Sequence, residues 1–465
     1  LMTRRSPPDV MGLETELGVQ HIDGLHDIKD EILKTSLLKE GFFEPTGEFE
    51  LKINYWLPNG GRIYRDMKMW EICTPETRTI RDFLIWQRAM ERIIVRAVRD
   101  HPEILIYKNN VDAKTSWGSH MNYTTTLSLS QRIDLVLPAV LEKLITGSGN
   151  LRTYGQYDIS QRAKVTTKVH PELVASINPE GPIDTSQENK RFLIDGRDER
   201  TDNHREYLFH HTSNDSNMLD NAEWLKVGFM RNMIALAENG CLPKIEYNPR
   251  EAIEDLRHLT TIEDIQEDPL LTQNRWHIRS MPPGERSALN LLKKYNDRAR
   301  SELSGKDAET DFTIELTDYV ITSLQRFGQD PNQLYGVLDW VTKRHLLAGK
   351  MKNESLLPNN EEIRSVNLEY HCLNSGSLFQ DLKSMGGIEI VPTEAEVRNA
   401  IMNPPTNTRA YARGNVAKQE MSKFGSNLSD IDWNTIVLHT GKTIRLPDPR
   451  NNYADILSEI LLRTR

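Results

Sequence analysis

The chain has 465 residues, a formal net charge of −9, and 38 % hydrophobic against 27 % charged side chains, with a mean hydropathy of −0.57. This is the composition of a soluble globular protein of two or more packed units, and it excludes a disordered or a membrane-embedded chain. No apolar run approaches the ~20 residues of a spanning helix, no Lys/Arg stripe points to nucleic acid, and the basic residues of Leu1–Pro8 precede no apolar signal core, so the expected setting is the cytoplasm.

In chain order, the first extended segment falls at 13–20 and a second at 61–66. A helix follows over 81–100, with Phe83, Leu84, Trp86, Met90, Ile93, Ile94, Ala97 and Val98 on one side. Strands are expected at 104–109, 120–126 and 208–211, then a helix over 222–239 with Gly240 at its C-terminal cap. Residues 240–304 lose the pattern and read as a charge-rich excursion of loops and helix, followed by helices over 311–326 and 334–347. Asn403-Pro404-Pro405-Thr406 breaks the chain; a helix-like stretch and two strands, 435–438 and 443–446 around Gly441, then form a small C-terminal unit. The three cysteines, Cys73, Cys241 and Cys372, form no CxxC pair and are expected to be buried spectators in a reducing compartment.

The strands carry the chemistry. Residues i and i+2 of a strand share a face, so Glu14 lies beside Glu16, Arg62 beside Tyr64 and Asp66, and His120 beside Asn122. An ordinary amphipathic sheet would hold such groups in solvent; their repetition over several strands favours a polar concave site. There is no GxxxxGK[ST] loop, HExxH, GxSxG or GxGxxG after a strand, which sets aside P-loop, zincin, α/β-hydrolase and dinucleotide-binding chemistry. What remains is oxygen-rich: Glu14, Glu16, Asp66, Glu71 and Glu76 supply carboxylates, the ligand type of Mg2+. Arg62, Arg162, Arg197 and Arg409 supply guanidinium groups that match phosphate oxygens two at a time. By spacing alone, a metal–nucleotide site and a set of surface ion pairs both fit.

Met11-Gly12-Leu13-Glu14-Thr15-Glu16-Leu17-Gly18-Val19 closely resembles the opening strand of the Pup ligase and depupylase family, and Asn59-Gly60-Gly61-Arg62-Ile63-Tyr64-Arg65-Asp66 resembles the family's N-G-A-R-x-Y-x-D strand. Gly118-Ser119-His120-Met121-Asn122-Tyr123, Ser160-Gln161-Arg162-Ala163, Asp215-Ser216-Asn217-Met218, Asp339-Trp340-Val341, Thr408-Arg409-Ala410 and Asp432-Trp433 follow in family order. The resemblance implies an α+β fold like that of glutamine synthetases: a curved antiparallel sheet forming a concave active site and packed with helices. It divides the chain into a catalytic domain at 1–414 and a small C-terminal domain at 415–465 that contributes to the nucleotide site. It also implies ATP and Mg2+ as cofactors, with Glu14, Tyr64 and Glu71 as metal ligands joined by Glu16 and His210. Arg62, Thr74, Trp433 and Arg197 become nucleotide contacts and Asp66 the catalytic base.

The implied reaction uses ATP to join the side chain of the C-terminal glutamate of a Pup-like modifier to substrate lysines through a glutamyl-phosphate intermediate, forming an isopeptide bond in a proteasome-linked pathway, with no nucleic acid and no membrane partner. The alternatives are a depupylase or deamidase of the modifier, and a small-molecule glutamate-amine ligase. Depupylases carry a long insertion between the opening strand and the aspartate strand; its lack here favours the ligase, while Ser119 and Thr146-Gly147-Ser148-Gly149 look more like the depupylase side. The chain departs from the family pattern in three places. The step from Asp66 to Glu71 is one residue short, Met121 replaces a common glutamate, and Asp198-Glu199-Arg200-Thr201-Asp202 lacks a usual histidine.

Overall fold

Alternation of apolar and polar side chains lets one sheet bury one face and leave the other open. In the computed structural model, which describes residues 6–23, 26–39, 54–66, 69–112, 115–170, 191–195, 206–374, 376–385, 391–421, 428–438 and 440–457, that sheet is built from β1 (Met11–His21), β2 (Asn54–Trp56), β3 (Arg62–Asp66), β4 (Met69–Cys73), β5 (Ile104–Tyr107) and β6 (Ser119–Thr125). The short strands β7 (Asn150–Leu151) and β8 (Tyr157–Asp158) come next in the chain, and β9 (Tyr207–His211) returns to the large sheet. Its order is β2-β3-β4-β1-β6-β9, with β5 on the far end of β1, and every pairing is antiparallel. β7, β8 and β10 (Thr261–Ile262) make a second sheet, and β11 (Leu428–Ile431), β12 (Thr435–Leu438) and β13 (Thr443–Arg445) a third.

Helices cover the apolar face. Met11, Leu13, Met121, Tyr123 and Phe209 join one core with α3 (Val136–Thr146) and α4 (Asp220–Glu238), counting α1 as His26–Lys39 and α2 as Ile80–Ala97. Leu17, Ile63, Trp70 and Ile72 join another with α2, through Ala89, Met90, Ile93 and Ile94. α2 starts where Thr79 accepts from the backbone N–H of Asp82 at 2.9 Å, a cap worth about 1 kcal/mol. The helix Ala410–Met421 carries the chain into the third sheet, and the 414/415 boundary falls inside it. Its Ala412, Val416 and Ala417 pack with Ile431, Ile436, Ile444 and Leu446, and with Trp56 from β2, in a small core shared by both parts of the chain.

Three sequence expectations change, and a fourth segment gains detail. The helix expected at 334–347 is Asp339–Glu354: Gly336 takes φ +77° and Leu338 is extended, so no helix begins before Asp339. The 240–304 excursion of loops and helix contains three α-helices, Ala252–Thr260, Pro269–Asn274 and Ala288–Leu303; the last buries Leu289, Leu292, Tyr295, Ala299 and Leu303 on one side. β2, β4, β7, β8, β10 and β11 are additional strands, none longer than five residues, and β4, which carries Glu71, lies in the middle of the large sheet. Cys241 is only partly buried. Among the described residues, no helix is long and apolar enough to cross a membrane.

Candidate active site

The register of the large sheet collects the polar side chains on its open face. Tyr64 stands opposite Glu71 and Arg62 opposite Cys73 across β3 and β4. Glu71 stands opposite Glu16, and Cys73 opposite Glu14, across β4 and β1. Glu14 then faces His120 on β6, and Asn122 faces His210 on β9. Hydrogen bonds tie this row together: Asn122 Nδ2 donates to Glu14 Oε1 at 3.1 Å, and its Oδ1 meets His210 Nδ1 at 2.6 Å. His120 Nδ1 lies 3.5 Å from Glu14 Oε2. Glu14, His120 and His210 can each bring one ligand atom within 4.8 Å of the others. Glu16 is oriented by the backbone N–H of Gly118.

Like charges opposed on one sheet face repel, and in this cluster burial adds to that repulsion. Burial, followed by the charges of Glu14 and Glu16, holds the Glu71 carboxyl well above the usual carboxylate range, against a hydrogen bond from Tyr64. Burial, followed by Cys73, Glu71 and Glu14, raises the Tyr64 phenol above its ordinary value. The Arg62 guanidinium lies 4.3 Å from the Tyr64 ring centroid, and its Nε donates to Asn54 Oδ1 at 2.6 Å.

Beside this face opens a cavity of about 400 Å³ whose lining includes Glu14, Arg62, Tyr64, Cys73, Thr74, Arg409 and Trp433. Trp433 arrives from the turn between β11 and β12 and meets Trp56 edge to face, ring centroids 5.1 Å apart. Thr74 Oγ1 accepts from the backbone N–H of Leu13 at 3.0 Å, which fixes the end of β4 against β1.

The structure thus brings Glu14, Glu16, Tyr64, Glu71 and His210 onto one face, with Arg62, Thr74 and Trp433 around the adjoining cavity. Asp66 is exposed at the end of β3, on the same face as Arg62 and Tyr64. Arg197 lies outside the described residues. Arg162 does not reach the cavity: it is buried and donates to the carbonyls of Trp117 and Thr212 at 3.1 and 3.2 Å. Glu76 is no companion of the metal-type acids, because Arg409 and Arg413 hold it at 2.6 and 2.5 Å. Cys73 is buried as expected, yet it sits in the polar row between Arg62 and Glu14. The sequence signal for His120 as a third donor was its same-face spacing with Asn122. For Arg413 it was the one-turn spacing from Arg409.

An antiparallel sheet covered by helices on its apolar side and carrying acids, a phenol and imidazoles on the other, next to an arginine-lined cavity, defines an α+β class with its site on the open face of the sheet. Two solved structures share this fold: the complex of the prokaryotic ubiquitin-like protein Pup with its ligase PafA (TM-score 0.79, 22 % identity, covering 99 % of this chain and 94 % of that one), and PafA with ADP (TM-score 0.72, 20 % identity, 93 % of each). The family model described as Pup-ligase protein matches residues 9–437, and the chain belongs to that family. Among its relatives, a depupylase of Acidothermus cellulolyticus is 30 % identical over 83 % of this chain and 75 % of its own. A Pup–protein ligase of Kineococcus radiotolerans is 26 % identical over 95 % of this chain and 96 % of its own.

Proposed function

We propose that this chain is an ATP-dependent ligase that joins the side-chain carboxylate of a C-terminal glutamate, on a Pup-like modifier, to lysine amines of other proteins through an isopeptide bond. The observation that carries the reading is the cavity, where Glu14 and Tyr64 meet Arg62, Thr74, Arg409 and Trp433. Arg62 and Arg409 suit phosphate oxygens, and Trp433 offers an aromatic face to a base. On this reading residues 415–465 are the small domain that supplies that face.

The acids fit Mg2+. Glu16 and Glu71 oppose each other on one face with Glu14 beside them, an arrangement whose repulsion and desolvation a bound cation relieves. Glu14, Tyr64 and Glu71 would hold the metal, with Glu16, His210 and His120 at its flank. When bound, Mg2+ neutralises charge on the transferring phosphoryl group. Asp66 works at the exposed end of β3, where a lysine on a folded protein can reach it. The modifier's glutamate carboxylate attacks the γ-phosphorus of ATP, giving a glutamyl phosphate and releasing ADP. A lysine is protonated at neutral pH and cannot attack; its proton passes to the Asp66 carboxylate, and the freed amine displaces phosphate from the glutamyl phosphate to form the amide bond.

A second reading, depupylase or deamidase, draws on the 30 % identity to a relative of that name. There Asp66 serves attack by water on the side-chain amide. The ligase is preferred because the ligase relative aligns over 95 % of this chain and 96 % of its own, whereas the depupylase aligns over 75 % of its own. Incubation with ATP, Mg2+ and a Pup-like protein ending in glutamate, followed by mass spectrometry, separates the two. Lysine conjugates that require ATP are expected. Cleavage of preformed conjugates, or amide loss from a glutamine-ended modifier with no conjugate formed, would move the assignment to the second reading.

A further inference from the structure

Arg413 is fully buried and is not part of the cavity lining, yet two residues that line the cavity, Glu76 and Trp433, meet on its guanidinium together with the turn at Gly60. Its Nη2 lies 2.5 Å from Glu76 Oε2 and donates to the carbonyl of Gly60 at 2.8 Å. Its Nη1 donates to the backbone carbonyl of Trp433 at 2.7 Å. The guanidinium carbon stands 4.8 Å from the Trp433 ring centroid and 5.1 Å from that of Trp56. Glu76, its counter-ion, also holds Arg409, whose side chain does line the cavity. One cation therefore connects the turn before β3, the segment after β4 and the β11–β12 turn.

We propose that Arg413 is a positioning residue for nucleotide binding: it sets the height and tilt of Trp433 over the cavity, and through Glu76 the place of Arg409, without touching the nucleotide. The proposal rests on the nucleotide reading above. A buried charge is costly unless every donor is used. The planar fork of arginine satisfies Gly60, Glu76 and Trp433 at once and stacks on indole, whereas a lysine ammonium is a point charge that cannot span the three. A mere clamp would lower thermal stability and leave ATP affinity alone; a positioning residue must move affinity in protein that is still folded.

The test is R413K in the full chain, with ADP–Mg2+ affinity by titration calorimetry, KM and kcat for ATP, and nucleotide-induced tryptophan quenching. The chain has eight tryptophans, so Trp433→Phe identifies the share of quenching that belongs to Trp433. In folded R413K, affinity for ADP and KM for ATP should worsen about tenfold, the equivalent of one lost hydrogen bond. Turnover should change little and the Trp433 share of the quench should shrink. Unchanged KM and quench in folded R413K overturn the proposal. If R413K does not fold, Glu76→Gln, which keeps the shape and removes the counter-ion, must shift KM in the same direction or the proposal falls. A wild-type chain that binds no ADP removes the nucleotide reading itself.

Discussion

Asp66 is exposed whereas Glu71, on the neighbouring strand, is buried, and that difference separates a carboxylate able to meet a large protein substrate from one enclosed among other acids. Asp66→Asn preserves shape and removes basicity. Conjugation should fall about a hundredfold or more, the usual worth of a positioned base, while calorimetric ADP binding persists; conjugation near the wild-type rate would make Asp66 structural. Glu14→Ala should abolish ATP-dependent turnover with the circular dichroism spectrum unchanged, because Glu14 shares the cavity with Arg62 and also anchors Asn122. Turnover undiminished in that variant would remove Glu14 from the proposed metal set. A strand's two-residue period puts Glu14 with Glu16 and Tyr64 with Asp66 whatever the rest of the fold, whereas the roles of Glu71, Thr74, His210 and Trp433 were legible only through the family resemblance. The strand pairing was not legible. That Cys73 stands between Arg62 and Glu14, or that Glu76 leaves the acids for two arginines, depends on register and on residues more than three hundred positions away.

At the scale of elements, the helix Ala410–Met421 crosses the turn between β2 and β3 on two glycines. Gly60 adopts φ +80°, and a Cβ there would lie 2.8 Å from the carbonyl oxygen of Ala410; a Cβ on Gly414 would lie 2.7 Å from the backbone nitrogen of Gly60. Gly60→Ala therefore combines a left-handed backbone with a steric clash. It should lower the melting temperature and push the helix, with Arg413 on it, away from the cavity, so that ADP affinity drops as well. A variant that melts lower but binds ADP normally would show that the helix and the cavity are independent. Long amphipathic helices and the alternating strands could be read close to their true limits, as α2 and β1 show. A three-residue strand such as β2 has too few residues to display a period, and the Asp339 helix start is decided by backbone geometry at Gly336 and Leu338 rather than by hydrophobic spacing.

Across the whole molecule, buried charge is concentrated where α2 meets the large sheet and α4. Glu91 receives Lys108 at 2.6 Å and Arg88 at 2.8 Å. Burial would raise its carboxyl, but Arg88 and Lys108 outweigh it and bring the value down to about 2, from an ordinary 4.5. A carboxyl depressed in the folded state contributes its stability in full above the unfolded value and loses it as pH falls toward the folded one. The urea midpoint should therefore decline between pH 4.5 and about 2, and Glu91→Gln, although less stable throughout, should show a flatter decline. An unchanged slope in the variant would mean that other carboxyls control acid unfolding. The two C-terminal strands around Gly441 were legible, but the core that their sheet shares with Trp56 was not, because that contact joins residues far apart in the sequence. The same contact bears on biosynthesis. Glu14 leaves the ribosome long before Trp433, so the polar face of the large sheet can form while one wall of its cavity is still unmade. On the proposed nucleotide reading, ATP until then has no complete pocket to occupy and cannot stabilise the young chain by binding, and a polypeptide arrested before Trp433 would carry most of the acids of the site yet remain unresponsive to nucleotide.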